Sequence, residues 1–509
     1  MNDLRATADR SLDTTQIAQP HNSPAKLTRL GRWALVLLVL AAIGVRSLDV
    51  TRPLVGQFAT KNVVYAMIAR NWVRGEAPFA RPTVDVLKSG HKGWHLLEVP
   101  LSAYVAGWGW HTCGGSLDAW GRSVSIACSA MSVLLLFALM RRWHGDDAAW
   151  AACLALALAP VSIIYGQMFM LEASVVWLTL LTLWSTELYL SERRGWALFV
   201  ALASLAGLML TKIYLVVLLP VVIAQAVRFM RRGGDWFRGG NLLGWLVFTL
   251  LPAGVWGREV FVIAADPTLS SRVFFSLADS AQTHVDSHGI LLTLGFYRRL
   301  AIELVARDLT PIGALLALFA FTRCDWRRHG VWLAVTGLLV LAMPRKFYEL
   351  NYYHLVTLPV LCVLVGLGWQ AIRQRWSIPS GAIVTGILVW STFALRFSLG
   401  PAYAIPAEDR HVVEAAAAVR AQFPREEPIA TLHGSTLDLL YYCDRPGWAL
   451  VIGEDLDEQL TLVRSQGAKY LVVTGLELLE DHPTVRATLE RLKRIDQAVG
   501  YRIYELAEE

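Results

Sequence analysis

Residues 120–140 read WGRSVSIACSAMSVLLLFALM, and Arg141 and Arg142 follow at once. From Val124 to Met140 the run carries no charge. A helix rises 1.5 Å per residue, so about twenty such residues cross a hydrocarbon core of roughly 30 Å. The run is one of a series. Comparable apolar blocks recur near 33–48, 148–165, 174–190, 197–210, 213–227, 242–264, 300–322, 330–343, 354–370 and 380–397. Together they predict about eleven spans. Composition agrees: of 509 residues, 55% are hydrophobic and 17% charged, with a mean hydropathy of +0.43. Ordinary soluble domains carry about 25% charged residues. A soluble globular protein and a disordered chain are both excluded. The expected fold class is a multi-pass α-helical membrane protein.

The segments between the blocks alternate in charge. One set is basic: Arg141-Arg142, Arg193-Arg194, Arg228 to Arg238, Arg323 to Arg328, and Arg373 with Arg375. The other set, 166–173, 211–212, 265–298 and 344–353, has few cations. Basic loops stay in the cytoplasm. Residues 1–32 then read as a cytoplasmic polar tail before a signal anchor at 33–48, and 33–399 as the membrane domain. Residues 1–399 carry a net charge of +14 and residues 400–509 a net −8. The basic part is the membrane part, so its charge implies membrane lipids and no nucleic acid. The acidic part reads as a small α/β domain on the outer, periplasmic side, with a helix at 408–422, a strand from Pro428, helices at 436–442 and 455–466, the strand 470–474, a helix at 483–494 and a strand at 501–504. It holds no Gly-rich phosphate loop and no catalytic cluster. The first outer segment, 49–119, is expected to form amphipathic helices at 58–73 and 94–110 lying in the membrane interface. The six cysteines have no metal-ligand spacing. A Cys113–Cys443 disulfide is conceivable, and His284 with His288 has the i, i+4 spacing of metal ligands but no third partner.

Polar residues that sit oddly gather at the outer ends of spans. Asp49 follows the first span, with Arg52 three residues on. Glu98 lies between Leu97 and Val99. Glu172 stands alone in a short outer loop. Lys212 joins two short apolar runs. Arg345 and Lys346 begin the loop that ends in Tyr353 and His354. Ionisable groups at membrane depth cost several kcal/mol unless they find partners or line a wet cavity, so they are candidates for function. Carboxylates in such a place can act as a general base, and neighbouring Lys and Arg can hold a phosphate. Each also has a plainer reading: Asp49–Arg52 as an ion pair, Glu98 as glue with His95, Lys212 as a snorkelling lysine, Tyr353 and His354 as interfacial rings.

The order of these features resembles the lipid-linked-sugar glycosyltransferases of the GT-C superfamily. Tyr65-Ala-x-Ile-Ala-Arg-Asn71, Leu97-Glu-x-Pro100 with Tyr104, and Gly121-Arg122 opening a span that ends in Arg141-Arg142 carry the likeness. It is nearest to the protein mannosyltransferases and the aminoarabinose transferase of lipid A, glycosyltransferase family 39. Glu172 stands where the family has an acidic residue after the third span. Thr211-Lys212, with its apolar run to Pro220, is similar to the phosphate-binding lysine segment. Arg345 to His354, before Leu358-Pro359, is similar to the cationic-aromatic stretch. The resemblance covers roughly residues 30–370. One departure is plain: Lys61 and Asn62 stand where the family usually has an Asp-Glu pair.

The resemblance implies a bacterial inner-membrane enzyme with an outward-facing site. It implies a polyprenyl-phosphate sugar as donor, and an envelope lipid, glycan or protein as acceptor. Transfer would proceed with inversion, with Asp49, Glu98 or Glu172 as the base. Lys212, Arg345, Lys346, Arg52 and Lys61 would hold the donor phosphate, and Tyr65, Tyr353 and His354 would contact substrate. No cofactor is required by the sequence, and a divalent metal stays open because no ligand set is visible. The alternatives are a lipid-linked-sugar transporter or flippase, and a catalytically degenerate scaffold in envelope assembly. Inverted repeats and charges at the bilayer midplane, which a transporter would show, are not seen in the sequence.

Overall fold

The computed structural model describes residues 26–276, 288–321 and 326–506. Helix α1 (Arg29–Ser47) starts at Thr28, whose hydroxyl accepts the Gly31 amide at 3.0 Å. Trp33, Leu37 and Leu40 stand exposed along it, as side chains facing lipid do. After it come α2 (Ala59–Val73), the hairpin β1 (Thr83–Lys88) and β2 (His91–Leu96), and α3 (Leu101–Cys113). The bundle continues with α4 (Leu117–His144), α5 (Asp146–Leu158), α6 (Pro160–Tyr165), α7 (Glu172–Glu192) and α8 (Gly195–Thr211).

Every predicted apolar block is helical in whole or in part. Among the described residues, however, seven helices are long and apolar enough to cross a membrane, or eight if Leu294–Asp308 and Thr310–Phe321, bent by 111°, make one span. Two of the expected eleven are broken. Block 300–322 bends at Leu309, and block 148–165 divides at Pro160, which cannot donate to the helix ladder. The division frees carbonyls inside the bundle. The buried guanidinium of Arg46, from α1, reaches the break: Nη2 donates to the Ala157 carbonyl (3.0 Å) and Ser162 Oγ (2.9 Å), while Nη1 donates to the Ala42 carbonyl of its own helix (3.0 Å).

Over the bundle lies one mixed sheet. Besides the hairpin it contains β3 (Val273–Ser276), β4 (Ile429–Leu432), β5 (Gly447–Leu450), β6 (Tyr470–Thr474), β7 (Lys493–Ala498) and β8 (Tyr501–Glu505). Its order is β3-β2-β1-β5-β4-β6-β8-β7. The parallel pair β1–β5, with Val86 opposite Gly447, joins the first outer segment to the C-terminal domain. A side chain at Gly447 would come within 2.0 Å of the Ile429 carbonyl, so only glycine fits there. The C-terminal segment alternates helices and strands as expected, but β5 and β7 are additional, the helix expected from 408 begins at Val412, and the helix expected at 483–494 stops at Glu490.

Two expectations for the outer segment are corrected. Residues 94–96 belong to β2, and the helix expected from 94 begins at Leu101, because pairing with β1 and β3 claims the backbone first. Helix α2 lies where expected but is not amphipathic: eleven of its fifteen residues are buried inside the protein. The helix Asp438–Cys443 packs against it, and charge fixes the join. Arg70 donates to Asp85 (2.6 Å) and to the Tyr441 carbonyl (2.9 Å). Arg74 grips Asp444 with both terminal nitrogens, at 2.6 and 2.9 Å. Burial alone would raise the Asp85 carboxyl, but Arg70 and Lys92 hold it below the usual range. Asp118, at the start of α4, accepts the hydroxyls of Tyr441 and Tyr442. Cys113, exposed, and Cys443, buried, are both free thiols, so the conceivable disulfide is not formed. His284 lies outside the described residues.

Candidate active site

Four charges from four parts of the chain meet beneath the sheet. Lys61 comes from the first turn of α2. Glu98 sits between β2 and α3, where the Val99 amide binds the Leu210 carbonyl at 3.0 Å and ties this loop to the end of α8. Glu172 opens α7, a position that suits an acidic side chain. Lys212 caps α8 in extended conformation, with its amide on the Leu208 carbonyl.

Their geometry is specific. Lys61 Nζ lies 2.7 Å from Glu172 Oε1, and Lys212 Nζ lies 2.9 Å from Glu98 Oε2 and 3.8 Å from Glu172 Oε1. Tyr65, one turn along α2 from Lys61, donates its hydroxyl to Glu98 Oε1. Both oxygens of Glu98 are thus engaged. Glu172 differs: its Oε2 is buried and has no hydrogen-bond partner among the described residues. The side chains of Glu98, Glu172 and Lys212 are each 3% exposed and that of Lys61 is 19% exposed, so Lys61 marks the approach.

Aromatic rings wall the cluster. Lys61 Nζ stands 3.7 Å from the centre of the Tyr352 ring, a cation–π contact. Tyr352 and Tyr353 form the one-turn segment before the helix His354–Arg375, and Tyr214 packs on Tyr353 at 5.9 Å. Lys346, in the short helix Pro344–Glu349, faces Tyr353 at 5.9 Å. Burial, then the charges of Lys61 and Lys212, push the Lys346 ammonium down to about 8. The Tyr65 phenol is held well above its ordinary value by burial, with Glu98 and Glu172 adding to it, so it remains a donor. Burial alone would raise the Glu98 carboxyl, but Lys212 and Lys61 keep it below the ordinary range.

The structure brings together Glu98, Glu172, Lys212, Lys61 and Tyr65, with Tyr353 and Lys346 at their side. It leaves four candidates elsewhere. Asp49 is exposed at the end of α1 with a left-handed φ of 54°, and its charge acts on Arg52 and Arg122. Arg52 is buried, 5.3 Å over the Tyr403 ring, and lines a small cavity with Arg122, Gln57 and Asn62. Arg345 is half exposed and pairs with Glu349 on its own helix at 2.8 Å. His354 is buried with both ring nitrogens engaged, by Asp308 (2.8 Å) and the Phe347 carbonyl (2.9 Å), at the start of its helix. Tyr214, Tyr352 and His95 belong to the site and were not singled out for it. His95 is buried, both its nitrogens lack hydrogen-bond partners among the described residues, and burial pushes its ring down to about 4, so it is neutral.

Residues 99–256 match the family model of the dolichyl-phosphate-mannose-protein mannosyltransferases. No curated protein matches the sequence. Solved structures do match in fold. ArnT from Cupriavidus metallidurans bound to undecaprenyl phosphate superposes with a TM-score of 0.58 at 17% identity, over 94% of this chain and 98% of ArnT. The archaeal oligosaccharyltransferase AglB from Archaeoglobus fulgidus, in complex with an inhibitory peptide and a dolichol-phosphate, gives 0.53 at 12% identity, over 94% of this chain and 74% of AglB. The arabinofuranosyltransferase AftD from mycobacteria gives 0.56 at 15% identity, over 96% of this chain and 41% of AftD.

Proposed function

We propose that this chain, a multi-pass membrane protein with the GT-C glycosyltransferase fold, transfers one sugar from a polyprenyl-phosphate donor to an acceptor hydroxyl or amine, with Glu172 as the base. The observation that carries this reading is the division of labour between two buried carboxylates. Glu98 has both oxygens bonded and serves to hold Lys212. Glu172 keeps one oxygen without a partner, 3% exposed beside two ammonium groups. A buried acceptor without a donor costs roughly 1–3 kcal/mol, which an incoming X–H group would relieve.

Charge supports the donor class. Three ammoniums, Lys61, Lys212 and Lys346, gather beside the two carboxylates, where they can meet the anionic phosphodiester. In the reaction the acceptor proton passes to Glu172 Oε2 and the acceptor atom bonds to the anomeric carbon. The bond from that carbon to the phosphate oxygen breaks, and its electron pair leaves with the polyprenyl phosphate, whose added charge the lysines stabilise. Attack opposite the leaving group inverts the sugar. Tyr352, Tyr353 and Tyr214 offer ring faces, and the neutral His95 offers a donor and an acceptor to sugar hydroxyls. Family precedent supports a site facing away from the basic loops, in the periplasm of a bacterial inner membrane, with a lipid, glycan or protein of the envelope as acceptor.

The test is product analysis by mass spectrometry on the purified chain in nanodiscs, given a panel of polyprenyl-phosphate sugars and a membrane extract. Wild-type protein is expected to release free polyprenyl phosphate and to add one sugar mass to an acceptor. A folded protein that releases nothing from any donor favours the degenerate scaffold, for which the Lys61-Asn62 substitution is the motive. Translocation without release favours the flippase.

Lys346 sets a pH dependence. Its ammonium loses its proton near 8, so one cation of the phosphate site disappears as the pH rises through that value. Undecaprenyl phosphate is expected to bind about tenfold more weakly at pH 9 than at pH 7. Titration of Lys346→Gln should show weaker binding at pH 7 and a flat profile between the two. A wild-type profile as flat as the variant's would remove Lys346 from the site.

A further inference from the structure

We infer that Asp409, His433 and Asp438 form a separate site for one divalent cation of the zinc type, at the junction of the C-terminal domain with α2. Asp409 ends the one-turn segment Ala407–Asp409 that follows the last membrane helix, His433 follows β4, and Asp438 opens the helix Asp438–Cys443. All three are buried. One ligand atom from each lies within 4.8 Å of the other two. His433 Nε2 is 2.8 Å from Asp409 Oδ1 and 3.7 Å from Asp438 Oδ2. Ligands around a tetrahedral zinc with bonds of the usual length stand about 3.3 Å apart.

The second observation is an orphaned atom. Asp438 is 0% exposed, and its Oδ1 is held by the Thr436 hydroxyl (2.6 Å) and the Leu439 amide (3.1 Å). That fixes Oδ2 toward His433, where it has no hydrogen-bond partner among the described residues. On the far side of the ring, Nδ1 lies 2.9 Å from Thr474 Oγ1. If Nδ1 donates to that hydroxyl, the Nε2 lone pair and two carboxylate oxygens converge on one point. Metal-binding histidines are held in this way by a hydrogen bond at the other nitrogen. A proton on Nε2 would serve Asp409 and still leave Asp438 Oδ2 unsatisfied; a single cation reaches all three.

The location gives the ion a task. The Leu437 amide, next to Asp438, donates to the hydroxyl of Thr60 at 3.3 Å, and Thr60 precedes Lys61. A cation here would fasten the end of the last membrane helix, the sheet and the start of α2 to one another. It would act as a structural staple above the charged cluster.

The experiment uses the full-length protein in detergent, stripped with a chelator and then dialysed against Zn²⁺ or Co²⁺ alone. Wild type is expected to take up one equivalent, with visible Co²⁺ bands and a raised melting midpoint. Asp438→Asn should lose that equivalent. Thr474→Val, which keeps every ligand, should bind about 10–100-fold more weakly. Glu172→Gln should retain the ion, which distinguishes this site from the charged cluster. No uptake by folded, stripped wild type overturns the assignment. So does unchanged uptake in Thr474→Val, the decisive variant if Asp438→Asn fails to fold.

Discussion

Glu172→Gln should leave a folded protein that binds undecaprenyl phosphate and transfers almost nothing. The amide keeps the shape of the carboxylate and can still accept from Lys61, but it cannot take a proton from the acceptor. Loss of a positioned general base lowers the rate by about 10²–10⁴-fold. Removing a negative charge 2.7 Å from Lys61 should leave affinity for the anionic lipid unchanged or higher. The two readouts separate chemistry from binding: single-turnover release of polyprenyl phosphate falls, while lipid binding holds. Glu98→Gln is the comparator, because its oxygens are already bonded to Tyr65 and Lys212. Its loss should appear chiefly in stability and donor affinity. A Glu172→Gln protein turning over at the wild-type rate would move the base elsewhere, with Asp49 the next carboxylate to test.

Lys212→Met carries the second large effect, and on a different quantity. Lys212 and Glu98 are each 3% exposed. Breaking a buried pair by removing one partner costs about 3–5 kcal/mol, because the remaining charge is left without compensation. The variant should melt well below wild type in detergent and lose affinity for undecaprenyl phosphate. The double variant Glu98→Gln, Lys212→Met removes both charges and should recover most of the stability, but not the affinity. That asymmetry is what a phosphate-binding lysine predicts and a purely structural lysine does not. Recovery of both would assign Lys212 a packing role alone, and loss of neither in the single variant would remove it from both roles.

Glu172 and Lys212 were legible in the sequence because each is a lone charge at the end of an apolar run, where hydrocarbon makes charge conspicuous. Helices α4 and α7 were legible for the converse reason: long uncharged runs bounded by arginines leave little choice of structure. The hairpin was not. Trp94, Leu97 and Tyr104 have a spacing that suits a helix, and the strand at 91–96 exists because β1 and the distant Val273–Ser276 pair with it. Tertiary partners decide such short segments. Helix α2 was found, but nothing in its pattern says that Arg70 and Arg74 reach Asp85 and Asp444 and draw it under the C-terminal domain. The same limit explains Arg52. Its nearness to Asp49 in sequence suggested the phosphate site, whereas the turn after α1 carries it to Tyr403. The ring nitrogens of His95 and the triplet Asp409, His433 and Asp438 carry meaning only once distant segments are juxtaposed.

The β1–β5 pairing also constrains how the protein is made. Val86 meets Gly447 across about 360 residues of intervening chain. At about 5–20 residues per second, ribosomes need on the order of 20–70 s to cover that distance. During that interval several membrane helices insert while one edge of the β1–β2 hairpin waits without its neighbour. An unpaired strand edge is a template for wrong partners. The half-made protein is therefore at its most vulnerable before its last hundred residues emerge.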